Sequence, residues 1–372
     1  MRYKRMPIEV ESPEQLGYEK IRNNLSESSY TDSFLQDLVS GEELGKLLLC
    51  YGSHEGHEGL RELIVRDTGG ALTRDHVLLT IGAAGALFII ATSLLEQGEE
   101  IIVVRPNYAT NIETPRAAGA KIKYIDLRFE NDWALDMGEI RRAIGPSTRY
   151  ISVTHPHNPT GACLEEAQLI ELAVLADMNG IYILVDETYR DMVFGRPLPL
   201  AATYSKRMIS ISSLSKTYGL PGLRTGWIIC RDEGLYETFL AAKEQMHICG
   251  PVIDEELAYR FLLRRADHFH RISMDIRAKF EMVKSWMEQQ NDWEWVEPRG
   301  GCVCFPRLKD PAAVHLPRFY ERLLADFGTY VGPGHWFEMP DQYIRLGFGW
   351  PSMDQLSAGL SALSMAVDAS RR

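Results

Sequence analysis

The run Ser212-Ser213-Leu214-Ser215-Lys216-Thr217-Tyr218-Gly219-Leu220-Pro221-Gly222-Leu223-Arg224-Thr225-Gly226 decides how the rest of the chain is read. It sets Lys216 between the hydroxyls of Ser213 and Ser215 and a loop punctuated by glycine and proline, with Arg224 eight residues further on. A lysine held in such a place can form a Schiff base with a carbonyl, and hydroxyls beside a guanidinium can hold a phosphate. Pyridoxal 5'-phosphate (PLP) requires both. Taken alone, Ser-x-Ser-Lys is also a polar turn carrying a solvated lysine, so the reading rests on whether other segments supply the remaining contacts.

Four segments do. Thr80-Ile81-Gly82-Ala83-Ala84-Gly85 follows an apolar run and opens a helical one, so that backbone amides at a positive helix end can receive an anion. His155-Pro156-His157-Asn158-Pro159-Thr160-Gly161 follows a second apolar run, and its prolines fix a loop from which the Asn158 amide projects as a donor. Val185-Asp186-Glu187-Thr188-Tyr189 ends a third with a carboxylate that either caps the next helix or faces a cation such as a pyridinium nitrogen. Arg345 stands in the apolar stretch Tyr343 to Phe348, where its forked donors suit a carboxylate or its stem carries the charge to the surface.

Working outward, residues 75 to 230 alternate short apolar runs with helical periodicity, the pattern of an α/β fold with a mostly parallel, seven-stranded sheet. Strands are expected at His76–Thr80, Glu100–Val104, Lys121–Leu127, Arg149–Thr154, Ile181–Asp186, Met208–Ser212 and Thr225–Cys230. Ligands of such sheets gather at the carboxyl ends of the strands, where Gly82, Asn158, Asp186 and Lys216 fall. A long helical region is expected from Ile253 to Gln290, then a smaller α+β unit with strands at Gly301–Arg307, Phe327–Val331 and Tyr343–Gly347 and a closing helix after Met353. The expected division is 1–50 as an N-terminal arm and part of the small domain, 51–250 as the large PLP-binding domain, and 251–372 as interdomain helix and small C-terminal domain. Within the arm, an extended stretch leads to a helix ending near Cys50.

Composition narrows the function classes. The 372 residues are 45% hydrophobic, enough for a large core, and the net charge of −11 disfavours nucleic acid and anionic membrane surfaces as partners. The six cysteines are scattered without zinc or redox spacing, which fits free thiols in a reducing cytoplasm. The basic start, Met1 to Pro7, lacks a following apolar stretch, so neither a signal peptide nor a membrane anchor is expected. His54-Glu55-Gly56-His57 has the wrong histidine spacing for a zinc helix, and no metal is expected.

These motifs, in this order, resemble the fold-type I PLP enzymes of the class I/II aminotransferase family from about Leu25 to Gly349. Tyr51 with Gly56 and Leu60-Arg61, Pro106-Asn107-Tyr108, Gly222-Leu223-Arg224, Pro298-Arg299-Gly300-Gly301, and Pro333-Gly334 with Phe337 complete the match. The resemblance implies that Lys216 carries PLP and later shuttles a proton, and that Asp186 pairs with the ring nitrogen. It further implies that Asn158 and Tyr189 bond the ring's phenolic oxygen, Tyr108 stacks on the ring, and Ser213, Arg224 and the amides of Ala83 and Ala84 hold the phosphate. Tyr51 would reach the phosphate of a neighbouring subunit in a homodimer, and Arg345 would clamp the substrate α-carboxylate, with Asn158 and Ser28 beside it.

Its implied activity is transfer of an α-amino group from an amino acid to a 2-oxo acid. Several runs, among them His157 to Cys163, are similar to capreomycidine-synthase-like members, which makes a PLP lyase or cyclase the alternative. A non-enzymatic PLP-binding regulator would carry a basic helix-turn-helix segment ahead of the fold, which is not found. The substrate side departs from the family: Leu25-Ser26-Glu27-Ser28-Ser29-Tyr30 stands where a Gly-Glu-Pro run is common. Ser26 to Tyr30, Tyr218, His247 and Trp336 are the expected specificity positions.

Overall fold

The computed structural model describes residues 1–372. In chain order, β1 (Asn23–Leu25) belongs to a small sheet. The next seven strands build the large one: β2 (Val77–Ile81), β3 (Glu100–Arg105), β4 (Lys121–Asp126), β5 (Thr148–Thr154), β6 (Tyr182–Asp186), β7 (Met208–Ser213) and β8 (Thr225–Ile229). Their spatial order is β2-β8-β7-β6-β5-β3-β4, with β8 antiparallel to both neighbours and every other pairing parallel. All seven expected strands are present.

Continuous apolar runs such as Ile101 to Val104 mark strands covered on both faces. Alternate residues of those runs enter different cores. Ile102, Val153, Ile183 and Val185 pack with the helix Glu166–Asn179. Ile101, Leu184, Ile209 and Ile228 pack with the helices Gly82–Leu94 and Glu233–His247. Each such side chain, fully buried, stabilises by roughly 1.5–3 kcal/mol. Register then sets the site: Thr154 lies opposite Asp186, Asp186 opposite Ile211, Ser213 opposite Gly226, and Gly226 opposite Thr80. Side chains far apart in sequence thereby meet at one edge.

The remaining strands are β9 (Trp293–Glu294), β10 (Val303–Cys304), β11 (Arg307–Leu308), β12 (Thr329–Pro333) and β13 (Ile344–Gly347). The small sheet runs β1-β12-β13-β10, and β1 joins it parallel to β12. The strand expected over Gly301–Arg307 is two short ones, because Pro306 lacks the N–H that an unbroken ladder needs. The long helical region is two helices, Val252–Leu263 and Arg265–Glu288.

The N-terminal arm also differs from expectation. Short helices at Pro7–Val10 and Pro13–Leu16 replace an extended stretch, each with proline in its first turn, where the missing N–H costs nothing. No helix reaches Cys50; the nearest is Gly41–Gly45, capped by Ser40. Leu48 and Leu49 beyond it are more than two-thirds exposed, so no core within the chain holds that segment helical. No helix is long and apolar enough to cross a membrane.

Candidate active site

A cleft of about 280 Å³ opens at the carboxyl ends of β5, β6 and β7. Ala83, Ala84, Tyr108, Asn158, Asp186, Tyr189, Ser213, Lys216, Arg224, Arg345 and Ser28 all line it. Lys216 is half-buried, its amine has no hydrogen-bond partner, and its backbone carbonyl accepts from Tyr30 N at 2.8 Å. Burial holds its ammonium pKa below the ordinary lysine value; the Glu27 carboxylate opposes that shift and Arg345 adds to it.

At one end the cleft is built for an anion. The helix Gly82–Leu94 starts without any side-chain cap, which leaves its first-turn amides unclaimed at the lip occupied by Ala83 and Ala84. Gly82 has φ +65°, and its amide donates to the Arg224 carbonyl at 2.7 Å. A Cβ on Gly226 would sit 2.4 Å from the Gly82 carbonyl carbon, so β8 can lie this close to the helix start only as glycine. Arg224 donates to Ser215 Oγ at 3.4 Å, and Ser213 Oγ accepts from Ser215 N at 3.3 Å. Open amides, two hydroxyls and a guanidinium fit a phosphate.

Deeper in, Asp186 ends β6 almost fully buried. Its Oδ1 accepts from Thr188 N at 3.0 Å and from Thr188 Oγ1 at 2.6 Å, while Oδ2 has no protein partner. Burial raises its pKa, and the two Thr188 bonds and Lys216 counter that shift. A buried carboxylate with one free oxygen fits the ring nitrogen of PLP. Tyr108 also faces the cleft; burial, then Glu9, raises its pKa.

Arg345 closes the other end. It is 4% exposed, donates through Nη2 to the Ser26 carbonyl at 2.7 Å and through Nη1 to Asn158 Oδ1 at 3.3 Å, and keeps Nε without a partner. A buried guanidinium with an unpaired N–H and no carboxylate beside it is a receptor for an anionic ligand. The Tyr189 hydroxyl, 2.6 Å from the Ser28 carbonyl, donates to it, so that phenol is tied to the substrate-side strap as well as facing the cleft.

Five expected positions lie elsewhere, among them Ser29, which is buried, and Tyr30, which is half-buried, neither of them lining the cleft. Tyr51 is 81% exposed and sits beside Leu49 and Pro251, away from this chain's own cleft. Tyr218 is buried and turns to the reverse of the sheet, where its hydroxyl donates to Asp191 at 2.5 Å. His247 ends the helix Glu233–His247 and does not line the cleft. Ser26, Glu27, Ser28 and Trp336 do. A larger cavity of about 730 Å³ lies behind the sheet; Glu187 and Ser212, the neighbours of Asp186 and Ser213, face it because successive strand residues point to opposite sides. Sequence reading missed the arm residues Glu9 and Glu14 and the positioning hydroxyl of Thr188. The Ser12-Pro13 helix start was the available signal for the arm.

Fold and cleft together define a PLP-dependent enzyme of fold type I. The family model described as Aminotransferase class I and II matches residues 23–363. Capreomycidine synthase of Streptomyces vinaceus is 32% identical over 88% of this chain and 83% of its own length. The arginine:pyruvate transaminase of Pseudomonas aeruginosa is 27% identical over 80% of this chain and 77% of its own. A PLP-dependent aminotransferase from Streptococcus suis superposes with a TM-score of 0.90 at 27% identity, covering 100% of both chains. The PLP-dependent cyclase OrfR, at 24% identity and a TM-score of 0.87, shares the fold. The chain belongs to the class I and II aminotransferase family, and its cofactor is PLP.

Proposed function

We propose that this protein is an aminotransferase, moving the α-amino group of an amino acid to a 2-oxo acid in a cytoplasmic homodimer with shared sites. The observation that carries the reading is a partner-free lysine amine set between an anion cradle at Arg224 and a buried, carboxylate-free Arg345. PLP, when bound, supplies an electrophilic aldehyde and a ring that accepts carbanion charge.

The side chains do the rest. Lys216 would hold the aldehyde and would move a proton at the substrate Cα; burial lowers its pKa, which favours the neutral amine that a base must be. Asp186 would hold the ring nitrogen in its protonated form, and Asn158 would bond the ring's phenolic oxygen, joined by Tyr189 where its hydroxyl turns from the Ser28 carbonyl. Tyr108 covers the ring face, while Ser213, Arg224 and the Ala83 and Ala84 amides hold the phosphate, with Tyr51 added from the second subunit. Arg345 would bind the α-carboxylate, with Asn158 and Ser28 at its side, and so orient the substrate's Cα at the cofactor.

The second reading, a lyase or cyclase, is favoured by the 32% identity to capreomycidine synthase and by the Ser28-Ser29-Tyr30 replacement, of which Ser28 lines the cleft. A panel of amino acids separates the two. Stoichiometric conversion of the cofactor to its amine form supports aminotransfer; ammonia release or ring closure with PLP retained supports the other. Lys216→Ala should lose the visible absorbance and the borohydride-reducible adduct, and lower turnover by about 10³-fold or more. An adduct persisting on another lysine would sink the assignment.

A further inference from the structure

Charge in the cleft does not balance without a third ionic partner. Lys216, Arg224 and Arg345 are its cations, and Glu9, Glu14, Glu27 and Asp186 its acids. In the reading above, Lys216 is joined to the aldehyde, Arg224 faces the phosphate, Arg345 faces the α-carboxylate and Asp186 faces the ring nitrogen. Three glutamates are left over. Glu9 and Glu14 are exposed to water, but Glu27 is half-buried, and a cation that meets it there offsets the cost of drawing its charge out of water.

Glu27 is the one held in place. Its neighbours on both sides are anchored to the site itself: the Ser26 carbonyl accepts from Arg345 Nη2 at 2.7 Å and the Ser28 carbonyl accepts from the Tyr189 hydroxyl at 2.6 Å. Its own carbonyl is pressed against Gly347, where a Cβ would come within 1.8 Å of that oxygen. Three residues on, Tyr30 N donates to the Lys216 carbonyl. The strap is thus locked to the lysine loop, to Tyr189 and to β13, and it presents the Glu27 side chain in the cleft. Oε1 accepts from the Tyr18 hydroxyl at 3.2 Å and Oε2 has no protein partner; Lys216 and Arg345 act on the group's charge without forming an ion pair with it. Glu9 and Glu14, on the exposed arm, widen the negative field at the mouth.

We infer that Glu27 selects an amino acid whose side chain ends in a cation, an ammonium or a guanidinium, while Arg345 holds the α-carboxylate. The inference rests on the assignment of Arg345 to that carboxylate. Independent of the glutamates, the unpaired Nε of a residue only 4% exposed marks where the ligand's anionic end docks. Burial raises the Glu27 pKa, and the charges of Lys216 and, less strongly, Arg345 act against that shift, as a cationic side chain of the ligand would.

The test uses the holoenzyme and non-reacting probes: δ-guanidinovalerate, which has both ends of the ligand but no α-amine, against its neutral isostere δ-ureidovalerate, by calorimetry. The guanidinium compound should bind about 10- to 100-fold tighter, the span of one charge-assisted hydrogen bond. In Glu27→Gln, checked for retained cofactor absorbance, the ratio should fall to within about threefold, while Glu14→Gln should keep most of it. Arginine against citrulline should give the same ratios in the rate of cofactor conversion. Equal binding of the two probes to the native protein, or a preference that survives Glu27→Gln, overturns the inference. Loss of the preference in Glu14→Gln alone overturns the choice of residue. If the guanidinium probe binds preferentially and no amino acid converts the cofactor, the recognition stands and the aminotransferase reading falls.

Discussion

Arg345 shows how much of the chemistry rests on single side chains. Its guanidinium is held by one backbone carbonyl and one amide oxygen, and burial lowers its pKa from the ordinary arginine value. Arg345→Lys keeps the charge and loses the fork, leaving Asn158 Oδ1 or the Ser26 carbonyl unpaired. The expected result is a rise in KM for the amino acid of about 10- to 100-fold with kcat less affected. Steady-state kinetics on native and variant protein check it; an unchanged KM would remove Arg345 from the substrate's carboxylate.

Among the elements, the loop from His155 to Gly161 carries its own pH sensitivity. His155 Nδ1 accepts from Leu164 N at 3.0 Å, His157 Nδ1 is 2.8 Å from Thr160 Oγ1, and the Nε2 atoms of both are buried without partners. The loop is clamped from outside by the Pro298 to Gly301 segment: Arg299 N donates to the Gly161 carbonyl, and a Cβ on Gly161 would strike Pro298 at 2.3 Å. Burial pushes both imidazoles down to about 4. The unfolded chain therefore takes up protons first as pH falls, and the stability held by neutral histidines is present above about pH 6.5 and lost between there and pH 4. Urea unfolding at pH 5 should give about 2 kcal/mol less stability per histidine than at pH 7. Replacing His157 with glutamine should flatten that dependence; an unaltered slope would show that His157 titrates normally.

For the whole molecule, residues 34 to 51 leave an apolar belt uncovered. Phe34, Leu48, Leu49 and Tyr51 are each more than two-thirds exposed. Patches of this kind mark association surfaces, and a homodimer with Tyr51 entering the partner's phosphate cradle accounts for both the belt and the distance of Tyr51 from this chain's cleft. Sedimentation should give about twice the 42.2 kDa chain mass. Leu48→Asp with Leu49→Asp should yield monomer, and Tyr51→Phe should weaken PLP binding about 5- to 10-fold while leaving the dimer intact. Monomeric native protein with full cofactor affinity would defeat the shared-site arrangement.

What the chain's order alone determined was the large sheet and the cluster of polar residues at its carboxyl edge, because both are written locally: apolar runs of strand length, and Gly82, Asn158, Asp186 and Lys216 placed at or beyond their ends. Thr188 went unnoticed because a threonine two residues past an aspartate has no signature until the turn brings its hydroxyl back to Oδ1. Tyr218 was assigned to the wrong side, since side-chain direction after Lys216 depends on the loop path and not on spacing. The arm was the largest omission. Only tertiary packing decided that Glu9, Glu14 and Glu27 share a cleft with Lys216 and Arg345, because β1 joins a small sheet whose other strands lie some three hundred residues further along. Charge acts through space between groups that folding assembles, and no local pattern in the chain records that meeting.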